Sequence, residues 1–179
     1  LEFLGLKNLS QLTKDYVTSE IFQYIETINE SKSKLEKIVG ENISSKGSEF
    51  AKKLTNVFNN IGLTYKGKSY INSEHAYQTW KSGEFNQQGY DLKGGKVRGG
   101  KIGDTFSIMT DILTEKLRQN PELINGIDDR GGLEYLKKST HNVIGDKFWE
   151  STGQNKFMEA LQNAYLAVNK SQPTKIFDN

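Results

Sequence analysis

The chain has 179 residues, which is enough for one domain or for one domain with a long appendage. It contains no cysteine, and this excludes disulfide bonds, thiolate metal sites and a cysteine nucleophile. The 24 Lys and Arg residues nearly balance the 22 Asp and Glu residues, so the net charge indicates neither a nucleic-acid nor a membrane partner.

Hydropathy and the ends of the chain indicate no membrane association. No run of about 18 apolar residues is present, and the N-terminus lacks a signal-peptide pattern. We therefore expect a cytoplasmic protein. Because the chain begins at Leu1 and not at methionine, it is expected to be processed or cut from a longer polypeptide.

The N-terminal region carries apolar residues at spacings of three and four, which predict one or two amphipathic helices over residues 6–39. Residues 29–33 are the weakest part and a candidate break, and Gly40 is a suitable stop. We expect this region to pack against another domain or to mediate oligomerisation. A second helix is predicted over residues 47–60.

The spacing of the apolar residues then changes, from residue 63 onwards. Aromatic and β-branched residues around Lys66-Gly67 predict a hairpin over residues 63–71. A helix follows over residues 73–81, with Ser73 as the expected N-cap. Residues 83–103 hold seven glycines interleaved with cations, which predicts an exposed loop that either holds a phosphate or is merely solvated.

The C-terminal half reads as helical. A helix over about 106–119 can be capped by Asp104 or Thr105 and ends before Pro121; Lys116 lies on its buried side. A short helix is predicted near 133–138. The capping-box pattern of Ser151 and Gln154 predicts the start of a last helix that reaches about residue 168. The predicted fold class is therefore mainly α, with a small β-hairpin.

The helix over residues 73–81 also carries candidate chemistry. Glu74, Gln78 and Lys81 fall at i, i+4 and i+7 and so share one face. Such a stripe is either a solvated face or one wall of a site. The signatures of common hydrolases are missing, and two histidines are too few for a histidine-rich metal centre, so we expect neither a metal nor a cofactor.

Three motifs together resemble the NADAR family (NAD- and ADP-ribose-associated domains, also called YbiA-like). They are Ser-Glu-His-x-x-Gln-x-x-Lys at residues 73–81, Met-x(6)-Lys-x-x-Gln-Asn-Pro-Glu-Leu at 109–123, and Asp-x-x-Trp-x-x-x-Gly-x-Asn at 146–155. The chain departs from the family pattern at four points. Glu150 replaces a glycine, His141 replaces a carboxylate, Phe106 is the nearest counterpart of a Trp ahead of the middle helix, and an early Ser-Asn-Phe motif is only approximated by residues 56–60.

The resemblance implies a helical catalytic domain over residues 56–170, with an N-terminal helical extension over 1–55 and a tail over 171–179. It also implies cleavage of an N-ribosyl bond, most simply the removal of ADP-ribose from a guanine base or a nucleic acid, or the hydrolysis of a ribosylamine metabolite. The alternative is a non-catalytic module that binds ADP-ribose or NAD.

The site residues follow from the resemblance and from the chemistry of an N-glycoside. Glu74 is expected to act in acid–base catalysis, Lys81 as a covalent nucleophile through a Schiff base, and Asp146 as a second carboxylate that orients ribose hydroxyls or activates water. The expected substrate-binding residues are Tyr77, Gln78, Arg98, Lys101, His141, Trp149 and Asn155.

Overall fold

The computed structural model describes residues 2–98, 103–142 and 155–171, and within them the chain is mainly helical. The helices are α1 (Glu2–Lys37), α2 (Glu49–Leu54), α3 (Ser73–Trp80), α4 (Gln87–Asp91), α5 (Thr105–Gln119), α6 (Pro121–Asp129), α7 (Leu133–Lys138) and α8 (Lys156–Lys170). The strands β1 (Leu63–Tyr65) and β2 (Lys68–Tyr70) form a two-stranded antiparallel sheet. The prediction of a mainly α fold with a small hairpin is confirmed.

The chain divides into two compact units, residues 1–38 and residues 39–179. The first unit is α1, a single helix without the predicted break at residues 29–33. That stretch contains weak helix formers but neither Gly nor Pro, so nothing in it interrupts the backbone hydrogen bonds. None of the described helices, α1 included, is long and apolar enough to cross a membrane.

The second unit begins well before residue 56. Ile43, Ala51 and Leu54 are fully buried in it, and the Ile43 amide donates to the Thr140 carbonyl at 2.7 Å. Gly40 also belongs here, because a Cβ at this position would lie 2.0 Å from the Lys138 carbonyl oxygen. The second compact unit therefore starts after residue 38, and the catalytic domain over residues 56–170 stays a prediction.

The hairpin follows its prediction closely. Leu63 pairs with Tyr70 and Tyr65 with Lys68. The two turn residues, Lys66 and Gly67, have φ angles of 48° and 79°. Positive φ at both central positions defines a type I′ turn, whose twist matches that of the paired strands.

The core of the second unit is built around α5, which packs against α3, β1, α6 and α8. Its buried side chains Met109, Ile112, Leu113 and Leu117 meet an α8 face that buries Phe157, Leu161, Ala164 and Val168. Asp104 caps α5, since its Oδ1 accepts from the Ser107 amide at 3.1 Å. This agrees with one of the two predicted caps.

Helix α5 ends at Gln119, before Pro121, as predicted; Pro121 is itself the first residue of α6, a position where the missing amide is no loss. Two element predictions are wrong in detail. Helix α2 covers only residues 49–54, because Thr55 is extended and leaves the helix. Helix α8 begins after Asn155, whose side chain caps it, and not after Ser151, which lies outside the described residues.

Candidate functional site

Helix α3 starts from an asparagine cap. The Asn72 side-chain oxygen accepts from the His75 amide at 2.8 Å, and Asn72 has extended backbone angles. Ser73, the predicted cap, is already helical and fully buried, and its hydroxyl finds no hydrogen-bond partner among the described residues. Asn72 is the N-cap because the helix begins one residue earlier than the sequence pattern indicated.

The polar face of α3 is a connected network. Glu74 accepts from the Gln78 side-chain amide at 2.7 Å. The Gln78 side-chain Oε1 accepts from the Val97 backbone amide at 3.0 Å, and the Lys81 ammonium donates to the Val97 carbonyl at 2.6 Å. Gln78 and Lys81 therefore hold both backbone groups of Val97, a buried residue of the glycine-rich segment. The three side chains share one α3 face, and Val97 lies across it.

Burial shifts the pKa values of the two ionisable groups on this face in opposite directions. It raises the pKa of the Glu74 carboxyl, outweighing the lowering effects of the Gln78 hydrogen bond and the Lys81 charge. It lowers the pKa of the Lys81 ammonium, and the nearby charge of Lys96 lowers it further, while Glu74 opposes the shift. Each shift favours the neutral form of its own group, and perturbed groups of this kind are typical of functional sites.

Helix α4 packs against α3, the helix that carries this face. The segment 83–103 was predicted as an exposed loop, but residues 87–91 are helical and Gly89 is buried against α3. A Cβ at Gly89 would lie 2.5 Å from the backbone carbonyl oxygen of Gln78, so only glycine permits α4 to approach α3 this closely. The prediction of a wholly exposed loop is therefore wrong for Gly89 and Val97.

Both ring nitrogens of His75 form hydrogen bonds to the backbone. Its Nδ1 accepts from the Ile71 amide at 3.2 Å, and its Nε2–H donates to the Tyr90 carbonyl at 2.6 Å. The ring packs against Tyr70 and Tyr90. A cavity of about 310 Å³ opens beside these three rings and is also lined by Ser69, Ile71, Asp91 and Lys93. This cavity includes none of Glu74, Gln78 and Lys81, so the candidate chemistry rests on the α3 network and not on the cavity.

His141 and Asn155 form a second group near the start of α8. The His141 Nδ1–H donates to the Ile43 carbonyl at 2.5 Å, and its ring packs on Phe157. The Asn155 amide donates to the His141 carbonyl at 2.9 Å, while its oxygen caps α8 by accepting from the Met158 amide at 3.2 Å. Burial lowers the pKa of His141. Both side chains thus have structural partners.

The remaining predicted site residues divide into two groups. Tyr77 is buried on α3 and Arg98 is exposed directly after the Val97 crossing. Lys101, Asp146 and Trp149 lie outside the described residues. Among the described residues, the structure joins Glu74, Gln78 and Lys81 into one network and joins His141 with Asn155 into another, and no hydrogen bond connects the two.

Val97 was missed as a site residue. A signal was present in the sequence, because Val97 is the one apolar residue between Lys93 and Lys101. An isolated apolar residue in such a stretch indicates a point of burial. Its bonds to Gln78 and Lys81 are made by the backbone, and no side-chain pattern predicts those.

Lys116 is a fully buried ionisable residue of this unit. Its ammonium donates to the Thr55 carbonyl at 2.7 Å, and burial lowers its pKa to about 7. The neighbouring Asn56 oxygen has no partner among the described residues. Across the described ranges, no three His, Asp or Glu side chains cluster as metal ligands.

Comparisons of the chain with protein-family models, with curated proteins and with solved structures find no match.

Proposed function

We propose that the protein is an N-glycosidase that cleaves an N-ribosyl bond, with ADP-ribose on a guanine base or nucleic acid as its preferred substrate and a related ribosylamine as the other candidate. The observation that carries the proposal is the α3 face, where Glu74 and Lys81 are joined through Gln78 and Val97. The motif resemblance also supports the proposal, since Glu74, Gln78 and Lys81 carry its first motif.

The two ionisable groups have complementary roles in such a reaction. Glu74, with its raised pKa, delivers a proton to the departing base nitrogen. The Lys81 amine, whose lowered pKa favours its uncharged form, bonds to the ribose C1 as the C1–N bond to the base breaks, and it then loses a proton. The ring C1–O4 bond breaks next, O4 takes up a proton, and the opened sugar remains as an imine on the lysine. Water then adds at C1, the C1–lysine bond breaks, and the free sugar and amine are released.

Binding roles follow the same proposal. Tyr77 and Gln78 border the reacting groups on α3, and Arg98 and Lys101 are candidate phosphate contacts. Asp146 and Trp149 enter through the resemblance, as the second carboxylate and as a stacking surface. His141 and Asn155, held by Ile43 and by the α8 cap, are proposed as supports of that region. A cytoplasmic location remains part of the proposal.

One observation favours a second candidate, a module that binds ADP-ribose or NAD without turnover. Lys81 and Gln78 are both hydrogen-bonded to the Val97 backbone, which places the amine in a structural contact. In this alternative, the α3 face orders the glycine-rich segment, and ligand phosphates are recognised beside it.

Turnover of a guanine-linked ADP-ribose substrate tests the proposal. We expect Lys81→Ala and Asp146→Ala each to reduce the release of ADP-ribose by at least about 10³-fold, because Lys81 bonds to the reacting carbon and Asp146 orients the ribose or activates water. Lys81→Arg preserves a donor for the Val97 carbonyl but cannot form an imine, so it should be equally inactive. The exposed Lys53→Ala is the matched control and should keep full activity.

Borohydride added during turnover should trap the sugar on Lys81, as a mass increase located by peptide analysis. Full activity of Lys81→Arg would eliminate the covalent mechanism. Binding of ADP-ribose by the wild type without release from any N-glycoside would decide for the binding module.

A further inference from the structure

Helix α1 presents a regular apolar seam, defined here as Val17, Ile21, Tyr24, Ile28, Ser31 and Leu35. The spacings along it alternate between four and three residues, which is the heptad spacing of a coiled-coil core. All members except Ser31 are apolar, and these five side chains are between 46% and 69% exposed. A seam of this length left open to water is typical of a surface that pairs with another helix.

We propose that the seam pairs in antiparallel orientation with the same seam of a second copy of the chain. In the proposed register, Tyr24 of each copy lies opposite Ile28 of the other. Val17 then lies opposite Leu35, and Ile21 lies opposite Ser31. Each of these three layers occurs twice by symmetry, so every seam residue has a partner.

Charge complementarity selects this orientation. In an antiparallel pair, the position before Ile21 on one helix flanks the position before Leu35 on the other. These positions hold Glu20 and Lys34, so the pairing places a carboxylate beside an ammonium at two symmetric points. Ile25, which is 46% exposed, lies beside Ile25 of the second copy. A parallel pair would set Glu20 beside Ile25 and form no ion pair at these positions.

The same charges fix the register. Sliding one helix by a heptad in either direction keeps the seam in contact but separates Glu20 from Lys34. Because Glu20 and Lys34 lie equally far from residue 27, one helix carries both halves of the complementary pattern. That self-complementarity identifies a second copy as the occupant, since an unrelated helix has no reason to match it.

The mass of the full chain in solution tests the pairing. Sedimentation at micromolar concentration should give a dimer for the wild type and a monomer for Ile28→Asp, which places a carboxylate in the central layers. Phe22→Asp is the matched control, because Phe22 is a large exposed residue of α1 that lies off the seam. It should remain a dimer. A monomeric wild type, or a dimeric Ile28→Asp, would overturn the proposal.

Disulfide trapping tests the orientation, and the chain suits it because it has no cysteine of its own. When Val17→Cys chains and Leu35→Cys chains are mixed and oxidised, we expect a linked pair of unlike chains. Each variant alone should stay unlinked. Within one helix the two positions are about 27 Å apart, so a link between them has to join two copies. Linked pairs of like chains would indicate a parallel pair and overturn the inference.

A charge reversal tests the register. Glu20→Lys should weaken dimerisation about tenfold, because two attractive contacts become repulsive. The double variant Glu20→Lys with Lys34→Glu should restore wild-type affinity. Failure of the second substitution to restore it would contradict the proposed register.

Discussion

At the scale of single residues, Lys116 is a charged group whose burial has an electrostatic cost. Its side chain is fully buried on the α5 face that meets the core, and its described contact is with an uncharged carbonyl, that of Thr55. A carbonyl replaces only part of the hydration of an ammonium, and this is why burial lowers the pKa of Lys116 to about 7. Near neutral pH the folded protein therefore holds this amine in a mixture of charged and uncharged forms.

We predict that Lys116→Met raises the free energy of unfolding at pH 7 by roughly 1–4 kcal/mol, because methionine fills the space without a charge to desolvate. Between about pH 7 and pH 10.5 the unfolded chain keeps a proton on Lys116 that the folded chain releases. Wild-type stability should therefore rise with pH relative to the variant over this range, and the advantage of the variant should shrink. Urea unfolding of both proteins at a series of pH values measures it. A constant difference between the two would contradict the assigned titration.

Residue-scale prediction succeeded where the information was local. Glu74, Gln78 and Lys81 share a face because helical periodicity alone requires it, and Lys116 was expected on the buried side of its helix for the same reason. The crossing of Val97 over α3 was not predictable, since its hydrogen bonds join the backbone of Val97 to the side chains of Lys81 and Gln78, 16 and 19 residues away in sequence. Chain closure over that distance is a tertiary event.

At the scale of elements, the contact of α3 with α4 decides how the candidate face is held. The short helix α4 lies within a stretch whose glycines predicted a loop, and it forms because Asn86 caps it on the Gly89 amide. Gly89 was interpreted as a loop residue, yet its role is to let the α4 backbone touch Gln78. Composition alone cannot separate glycines that permit close packing from glycines that permit turns.

We predict that Gly89→Ala destabilises the protein by about 1–3 kcal/mol, because the added methyl group meets backbone atoms of Gln78 and the two helices have to separate. Gly62→Ala is the matched control. The nearest atom to its Cβ would be the Asn120 side-chain oxygen at 3.8 Å, an ordinary contact, so its effect should stay within about 0.5 kcal/mol. Thermal and urea unfolding of the two variants provide the comparison. Equal stability of the two variants would show that α4 does not pack against α3 as closely as described.

At the scale of the whole molecule, the two units differ in how they are stabilised. Every buried apolar side chain described lies between Ile43 and Val168, within the second unit, whereas the described side chains of α1 are exposed. The helical class and the hairpin were predictable, because periodicity and turn chemistry are local signals. The division after residue 38 was not, because it depends on Ile43 and Glu41 pairing with Thr140, about 100 residues away in sequence.

We predict that a chain starting at Val39 folds cooperatively and keeps the free energy of unfolding that the full chain shows when dilute, because its core loses no buried residue. A chain starting at Glu49 is the matched control. It lacks Ile43, whose side chain is fully buried and whose amide donates to Thr140, and it lacks the Glu41 carboxylate that accepts from the Tyr135 hydroxyl at 2.6 Å. We expect the control to lose roughly 3 kcal/mol or more, by analogy with the removal of a large buried side chain. Urea unfolding followed by circular dichroism measures both. If the two truncated chains were equally stable, the segment from Val39 to Ser48 would contribute nothing to the second unit, contrary to the burial of Ile43.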